Sequence, residues 1–221
     1  TSLLKISIPS SIKELGKSVF HGCTSLEKIF FASSVDIIGA YAFRGCTSLT
    51  QISIESFPIK KIDFSLFDGC TSLKFISIPE SVTELGGYSF NGCSALTSII
   101  IPSSVVKIGS SSFNKCTLLT DVTILSKLKE IESNTFNQCS SLKKITIPSS
   151  VVSIENCAFN GCSSLTEISI PSSVKKIGIY AFKGCKSLNQ ISIPSSVVSI
   201  GNQCFGDCQS LKQICIPSML S

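Results

Sequence analysis

"FHGCTSL" at residues 20–26 returns as "FRGCTSL" at 43–49, then as "FDGCTSL" at 67–73, "FNGCSAL" at 90–96 and "FNKCTLL" at 113–119. It continues as "FNQCSSL" at 136–142, "FNGCSSL" at 159–165, "FKGCKSL" at 182–188 and "FGDCQSL" at 205–211. Catalysis has no use for nine copies of one site. A stack of layers does, because every layer must fill the same hole.

Aligning the copies gives one repeat of about 23 residues, L-x-x-I-x-I-P-x-S-V-x-x-I-G-x-x-x-F-x-G-C-x-S. In "KISIP" and "QISIP" apolar residues alternate with polar ones, the pattern of a strand with one buried face, and β-branched Ile suits that place. Pro follows in most copies, as at Pro9, Pro79, Pro102 and Pro148, and ends the strand because it has no N–H to give. "SSV" then turns the chain and "V-x-x-I" begins a second short extended piece. The glycines after that Ile (Gly16, Gly39, Gly86, Gly109, Gly178, Gly201) are expected to allow a turn at positive φ. The "xxxFxGC" stretch is expected to return the chain as a short helical or 3₁₀ arm.

One copy cannot stand alone. It buries some six apolar side chains, worth about 2 kcal/mol each, against an ordering cost of about 1–2 kcal/mol for every residue. Stacked copies cover one another's apolar edges. The fold class expected is therefore a β-rich repeat solenoid of stacked layers with a parallel β-sheet face, one domain over residues 1–221 with about nine repeats. The chain opens inside a repeat at "TSLLKISIPSS" and closes just after a strand at "SLKQICIPSMLS". Both ends are thus expected to be truncated, and uncapped apolar ends favour end-to-end self-association.

At L-x-x-I-x-I the pattern resembles the leucine-rich repeat. The longer phrase "IPSSVxxIGxxAFxGCxSL" is similar to the BspA-type (Treponema-pallidum-type) leucine-rich repeat of bacterial and parasitic-protist surface proteins, and "IPSSV" stands at 101–105, 147–151, 170–174 and 193–197. The chain departs from the ordinary leucine-rich repeat in lacking Asn after the strand. Its third copy, "IESFPIKKIDFSLF", carries one extra residue and moves its proline to Pro58. The resemblance implies binding or adhesion and a cell-surface or secreted location, and it transfers no catalytic residue.

Composition excludes more than it selects. No apolar run approaches the 18 residues of a membrane span, so no direct membrane insertion is expected. The net charge of +5 comes from lysines scattered among acids rather than from a basic face, so nucleic acid is not expected as a partner. No phosphate loop, HExxH, GxSxG or metal-spaced CxxC is present, and no enzyme activity, cofactor or metal is expected. His21, the single histidine, takes the variable place of "FxGC" and is expected on the surface. Glu130 and Glu132 flank Ile131 and are expected to be solvated, and the acids form no repeated cluster of the kind a solenoid lyase would need.

Nine of the twelve cysteines stand at one repeat position, from Cys23 to Cys208. They run in a line instead of converging on a point, so zinc is not expected. Buried free thiols filling space as small apolar groups are expected instead, a cysteine ladder. Cys157, five residues before Cys162, and Cys204, four before Cys208, are open to packing or to a local disulfide. Cys215 replaces the Ser of "ISI" and is the candidate exposed thiol.

The outward strand positions form two columns on one face. Small polar residues dominate them, and Phe30, Phe75 and Ile100 break the rule. These three, with Lys28 and Asp121 in the first column, are the candidate partner-binding residues. Phe57 and Phe64 are expected to pack around the extra residue of the third copy. The function expected is a non-catalytic protein-binding module for adhesion or recognition, with a host extracellular or matrix protein as partner. The alternative is an intracellular scaffold docking a regulatory protein, which unpaired thiols and the absence of N-x-[ST] sequons permit.

Overall fold

The computed structural model describes residues 2–215, and in it the chain winds as a parallel β-solenoid. We number the coils by their phenylalanines, from coil 1 with Phe20 to coil 9 with Phe205; residues 213–215 add the strand of a tenth. The expected alternation becomes strand at Lys5–Ile8, Lys28–Phe31, Ser98–Ile101, Asp121–Ile124, Lys144–Thr146, Glu167–Ser169, Gln190–Ser192 and Gln213–Cys215. Register is in phase with the repeat: Ile99 lies beside Val122, and Ile145 beside both Val122 and Ile168. Two-residue strands at "x-I", such as Glu84–Leu85 and Lys107–Ile108, stack into a second parallel ladder.

The extra residue of coil 3 interrupts this regularity. Residues 51–54 and 75–78 form no strand, although Ile52, Ile54, Ile76 and Ile78 are buried as in other coils. Main-chain bonds between coils there are confined to the residues just before, Thr50 N to Glu27 O (3.5 Å), Lys74 N to Thr50 O (3.2 Å) and Thr97 N to Lys74 O (3.2 Å). The surplus length turns at Glu55–Ser56 and drives the Phe57 ring inward, edge-on to Phe31 at 4.9 Å. Phe57 packs as expected; Phe64 does not, being 41% exposed.

The return arms are turns, not the helical or 3₁₀ segments expected. Each phenylalanine is flanked two residues before and two after by a residue at positive φ, for example Tyr41 (61°) and Gly45 (71°) around Phe43. Two left-handed residues four apart preclude a helix. Alternate N–H groups point up the stack instead: those of Cys157, Phe159 and Gly161 donate to the carbonyls of Ile179, Ala181 and Lys183 at 2.9, 2.8 and 2.7 Å. This makes a third inter-coil ladder. Positive φ therefore falls on the glycine of "FxG", not on the glycine after "x-x-I". At the latter place the need is closeness: a Cβ on Gly39 would lie 2.7 Å from the backbone N of Lys17. Asp63, Glu132 and Glu155 stand there in three coils, so the backbone gives where it must.

Inside, the nine phenylalanine rings stack with centroids 5.4–5.7 Å apart and planes within 16°. The cysteine column lies beside them and does more than fill space. Each thiol from Cys46 to Cys208 donates to the carbonyl of the phenylalanine one coil back, at 3.1–3.3 Å. Burial pushes these thiols up, Cys46 to about 12 and Cys70 and Cys116 in the same direction, and keeps them protonated and unreactive at neutral pH. The described cysteines are free thiols, Cys157 and Cys204 among them, while the side chain of Cys215 lies outside the described residues.

A second polar column runs along the "x" of "FxG". Asn160 Nδ2 donates to Asn137 Oδ1 (2.8 Å), Asn137 to Asn114 (2.8 Å), Asn114 to Asn91 (2.7 Å) and Asn91 to the Asp68 carboxylate (2.7 Å). Asp68 in turn pairs with Arg44 at 3.0 Å. The carboxylate accepts and cannot donate, so it fixes the direction of every amide above it.

Candidate partner-binding face

The strand face is laid out by alternation alone. In "KIFF" the Ile29 side chain goes into the core, so Lys28 and Phe30 face out; in "SIII" Ile99 and Ile101 go in, so Ser98 and Ile100 face out. The three residues that break the polar rule are exposed, Phe30 by 52%, Phe75 by 57% and Ile100 by 60%. Two of them meet. Phe75 and Ile100 line one shallow recess across coils 4 and 5, with Ser77, Ser98, Glu80 and Pro102 around them.

Phe30 stands apart. Coil 3 intervenes with the exposed Gln51 and Ser53, and Ser53 is turned toward the Glu55 carboxylate at 2.9 Å. Lys28 shares the strand of Phe30 and lies beside Lys5 of the previous coil. Asp121 lies beside Ser98 and Lys144, one coil beyond Ile100, and accepts a hydrogen bond from the Thr120 hydroxyl at 2.7 Å. The face therefore offers an apolar recess with a carboxylate on its far side, and a second aromatic with a lysine nearer the start of the stack.

Further along, the same face presents polar side chains and forms a wider hollow of about 710 Å³ over residues 144–147, 167–171, 190–192, Pro194 and Gln213. An ion pair crosses it, Lys144 Nζ to Glu167 Oε1 at 2.6 Å, and that hydrogen bond raises the pKa of the lysine. Among the described residues, no group of His, Cys, Asp and Glu side chains is arranged to hold a metal ion, and no helix is long and apolar enough to cross a membrane.

Sequence reasoning missed an aromatic strip on the return-arm side. Tyr41, Phe64 and Tyr88 sit on successive coils with centroids 5.5 and 5.6 Å apart. Both tyrosines hold positive φ, 61° and 57°, where most coils place Ser, Asn, Cys or Gln. The available signal was a run of aromatics at two variable repeat positions, three coils in a row.

Comparison with known proteins follows the same lines. A family model described as "BspA type Leucine rich repeat region" matches in six copies, over residues 1–120, 56–165 and 129–221. Comparison with curated proteins gives no match. Among solved structures, a leucine-rich repeat protein from Bacteroides ovatus is similar at 28% identity and a TM-score of 0.84, over 96% of this chain and 63% of that one. This chain thus spans less than two thirds of that protein. A leucine rich cell surface protein from Faecalibacterium prausnitzii aligns at 28% identity and TM-score 0.56, over 98% and 74% of the two chains. The T. pallidum leucine-rich repeat protein aligns at 29% identity and TM-score 0.60, over 85% and 79%.

Proposed function

The chain belongs to the BspA-type leucine-rich repeat family, and from that premise we propose that it is a non-catalytic recognition module that works at the cell surface and holds a host or matrix protein against its strand face. The observation that carries this reading is the recess of Phe75 and Ile100, two large apolar side chains more than half exposed on a largely polar sheet. Apolar anchors set in a polar surround are what a protein interface needs at its centre. Asp121 and Lys28 supply charges at the edges, which steer a partner more than they hold it. Phe30 is a second anchor for a partner long enough to cross coil 3. The likeness to a cell surface protein of Faecalibacterium prausnitzii supports the location.

The test is a binding panel of extracellular matrix and host-surface proteins against the full chain, repeated with the double variant Phe75→Ser/Ile100→Ser. At least one protein should bind, and the double variant should weaken it by tenfold or more with an unchanged melting temperature. Binding that ignores the double substitution, or no binding to any extracellular protein, would sink the reading.

A further inference from the structure

The aromatic strip on the return-arm side lies apart from the strand face, and from it we propose a second docking site, for an acid-bearing proline-rich segment of a protein partner lying along the solenoid axis as a polyproline II helix. The first observation is that the strip is not core packing. Tyr41 and Tyr88 stand at a left-handed place, where a bulky side chain is an uncommon choice. Burial does not explain the choice, because Phe64 and Tyr88 are each 41% exposed. Where Tyr180 takes the same place, Lys183, three residues on, covers its ring at 5.0 Å, and Arg44 reaches Tyr41 at 5.8 Å in the same way. Tyr88 has Asn91 there instead, and that amide is spent on Asp68 at 2.7 Å, so the ring stays open. Gly87, beside Phe64 on the next coil, has no side chain to cover it, and a Cβ there would come within 3.3 Å of the Phe64 Cε2.

The second observation is the spacing. Tyr41 and Tyr88 share one repeat position two coils apart, about 9.6 Å at the strand spacing of about 4.8 Å. Phe64 lies between them, its ring tilted 63° and 57° to theirs, which leaves a notch on each side for a pyrrolidine ring. A polyproline II helix advances about 3.1 Å per residue with three residues per turn, so its same-face residues recur every 9.3 Å or so. Every third residue of the partner therefore meets a tyrosine. A β-extended peptide repeats its faces at about 6.6 Å and falls out of step. The carbonyls of polyproline II have no internal partner, and both tyrosine hydroxyls, unspent among the described residues, can donate to them.

The third observation is charge. Beside the strip each ion pair has its cation outermost: side-chain exposure is 47% for Arg44 against 14% for Asp68, and 59% for Lys61 against 33% for Glu84. The Asp63 carboxylate is turned back to accept the Phe64 N–H at 2.7 Å. Lys17, exposed on the coil before Tyr41, has no acidic partner among the described residues. An arriving segment meets positive charge at the coil 1 end, so the partner carries its acidic residue there.

Fluorescence anisotropy with labelled peptides of three, six and nine prolines, carrying glutamate or lysine at either end, tests all three observations on the full chain. Affinity for a glutamate series should rise at least tenfold from three prolines to six, the length that reaches both tyrosines, and less than threefold from six to nine. Glutamate should be preferred over lysine at least threefold, and Lys17→Glu should cancel that preference. Tyr88→Ser installs the residue that Ser111 supplies at the same left-handed place one coil on. It should weaken binding at least tenfold without lowering the melting temperature. Phe75→Ser/Ile100→Ser on the strand face should change nothing, so this site and the strand-face reading fail separately. No binding by any peptide, affinity independent of length, a preference for lysine, or full binding by Tyr88→Ser overturns the proposal. So does an oligosaccharide that binds through Tyr88 while every peptide fails, which would assign the rings to sugar stacking.

Discussion

The thiol of Cys116 donates to the carbonyl oxygen of Phe90, 3.2 Å away and one coil back. That oxygen also accepts the N–H of Cys93 at 3.2 Å, so one buried carbonyl ties a turn within its own coil and the coil that follows. If the sulfur were only an apolar filler, alanine would be the gentler replacement and serine the harsher. Since it is a donor, Cys116→Ser is expected to cost less than Cys116→Ala, which loses about 1–3 kcal/mol through the missing bond and the small void together. Urea midpoints of the two variants decide it, and a larger loss for serine would return the column to simple packing.

The same burial makes stability depend on alkaline pH. Cys46 and Cys204 are both raised by desolvation from 9.0 to about 12. A thiol raised in the folded state keeps its proton there after the unfolded chain has lost it. The stabilisation is therefore complete below about pH 9 and is lost as pH climbs toward 12, by about 1.4 kcal/mol per thiol for each pH unit. Denaturation midpoints should be flat on the acid side of about pH 9 and fall steeply above it. A variant with Cys46 and Cys204 both changed to Ala should fall less steeply; an unchanged slope would show that other groups set it.

Asn114 tests the direction of the amide column. It donates to Asn91 Oδ1 at 2.7 Å and accepts from Asn137 Nδ2 at 2.8 Å. Asn114→Asp would face an ionised oxygen to the Asn91 carbonyl oxygen, two acceptors with no proton between them. A protonated carboxyl can donate there and restore the bond. This new carboxyl is thus raised in the folded state, and the variant should approach wild-type stability in acid and lose about 1–3 kcal/mol as pH rises through the carboxyl range. Melting temperatures of variant and wild type at acid and neutral pH check this, and a gap of equal size at both would rule out the fixed amide direction.

The repeat made the stack legible because the same side chain recurs wherever the same hole must be filled, and Phe43, Cys46 and Leu49 are each fully buried. The exposed places of Phe30, Phe75 and Ile100 were legible too, since alternation along a strand decides which way a side chain points. Backbone conformation was not. Nothing about Tyr41 or Lys115 announces positive φ, which is imposed by the N–H groups that must reach the next coil. The amide column also escaped notice, because Arg44, Asp68 and Lys183 share its position and make it read as a variable surface place. Nor could the sequence tell that Phe75 and Ile100 share a recess while Phe30 does not, a matter of how coil 3 disposes of its surplus residue.

That surplus residue yields a prediction about hydrogen exchange. Ile52 and Ile76 are 4% and 5% exposed, as buried as Ile145 at 4%, yet their segments are joined to neighbouring coils only through Thr50, Lys74 and Thr97. Residues 121–124 and 144–146 are no better buried, with Val122 8% exposed and Ile124 half-buried, yet they carry a continuous parallel ladder. Exchange follows opening of main-chain hydrogen bonds, not side-chain burial as such. Peptides spanning 51–54 and 75–78 should therefore exchange at least tenfold faster than those spanning 121–124 and 144–146. The return arms of the same coils should stay protected, because Phe43 N to Leu66 O (3.1 Å) and Phe67 N to Ser89 O (2.8 Å) continue the third ladder through the break. Fast exchange on the strand side with slow exchange behind it would locate a flexible stretch under the Phe75 recess. Equal rates on all four strand segments would mean that the ladder closes in solution.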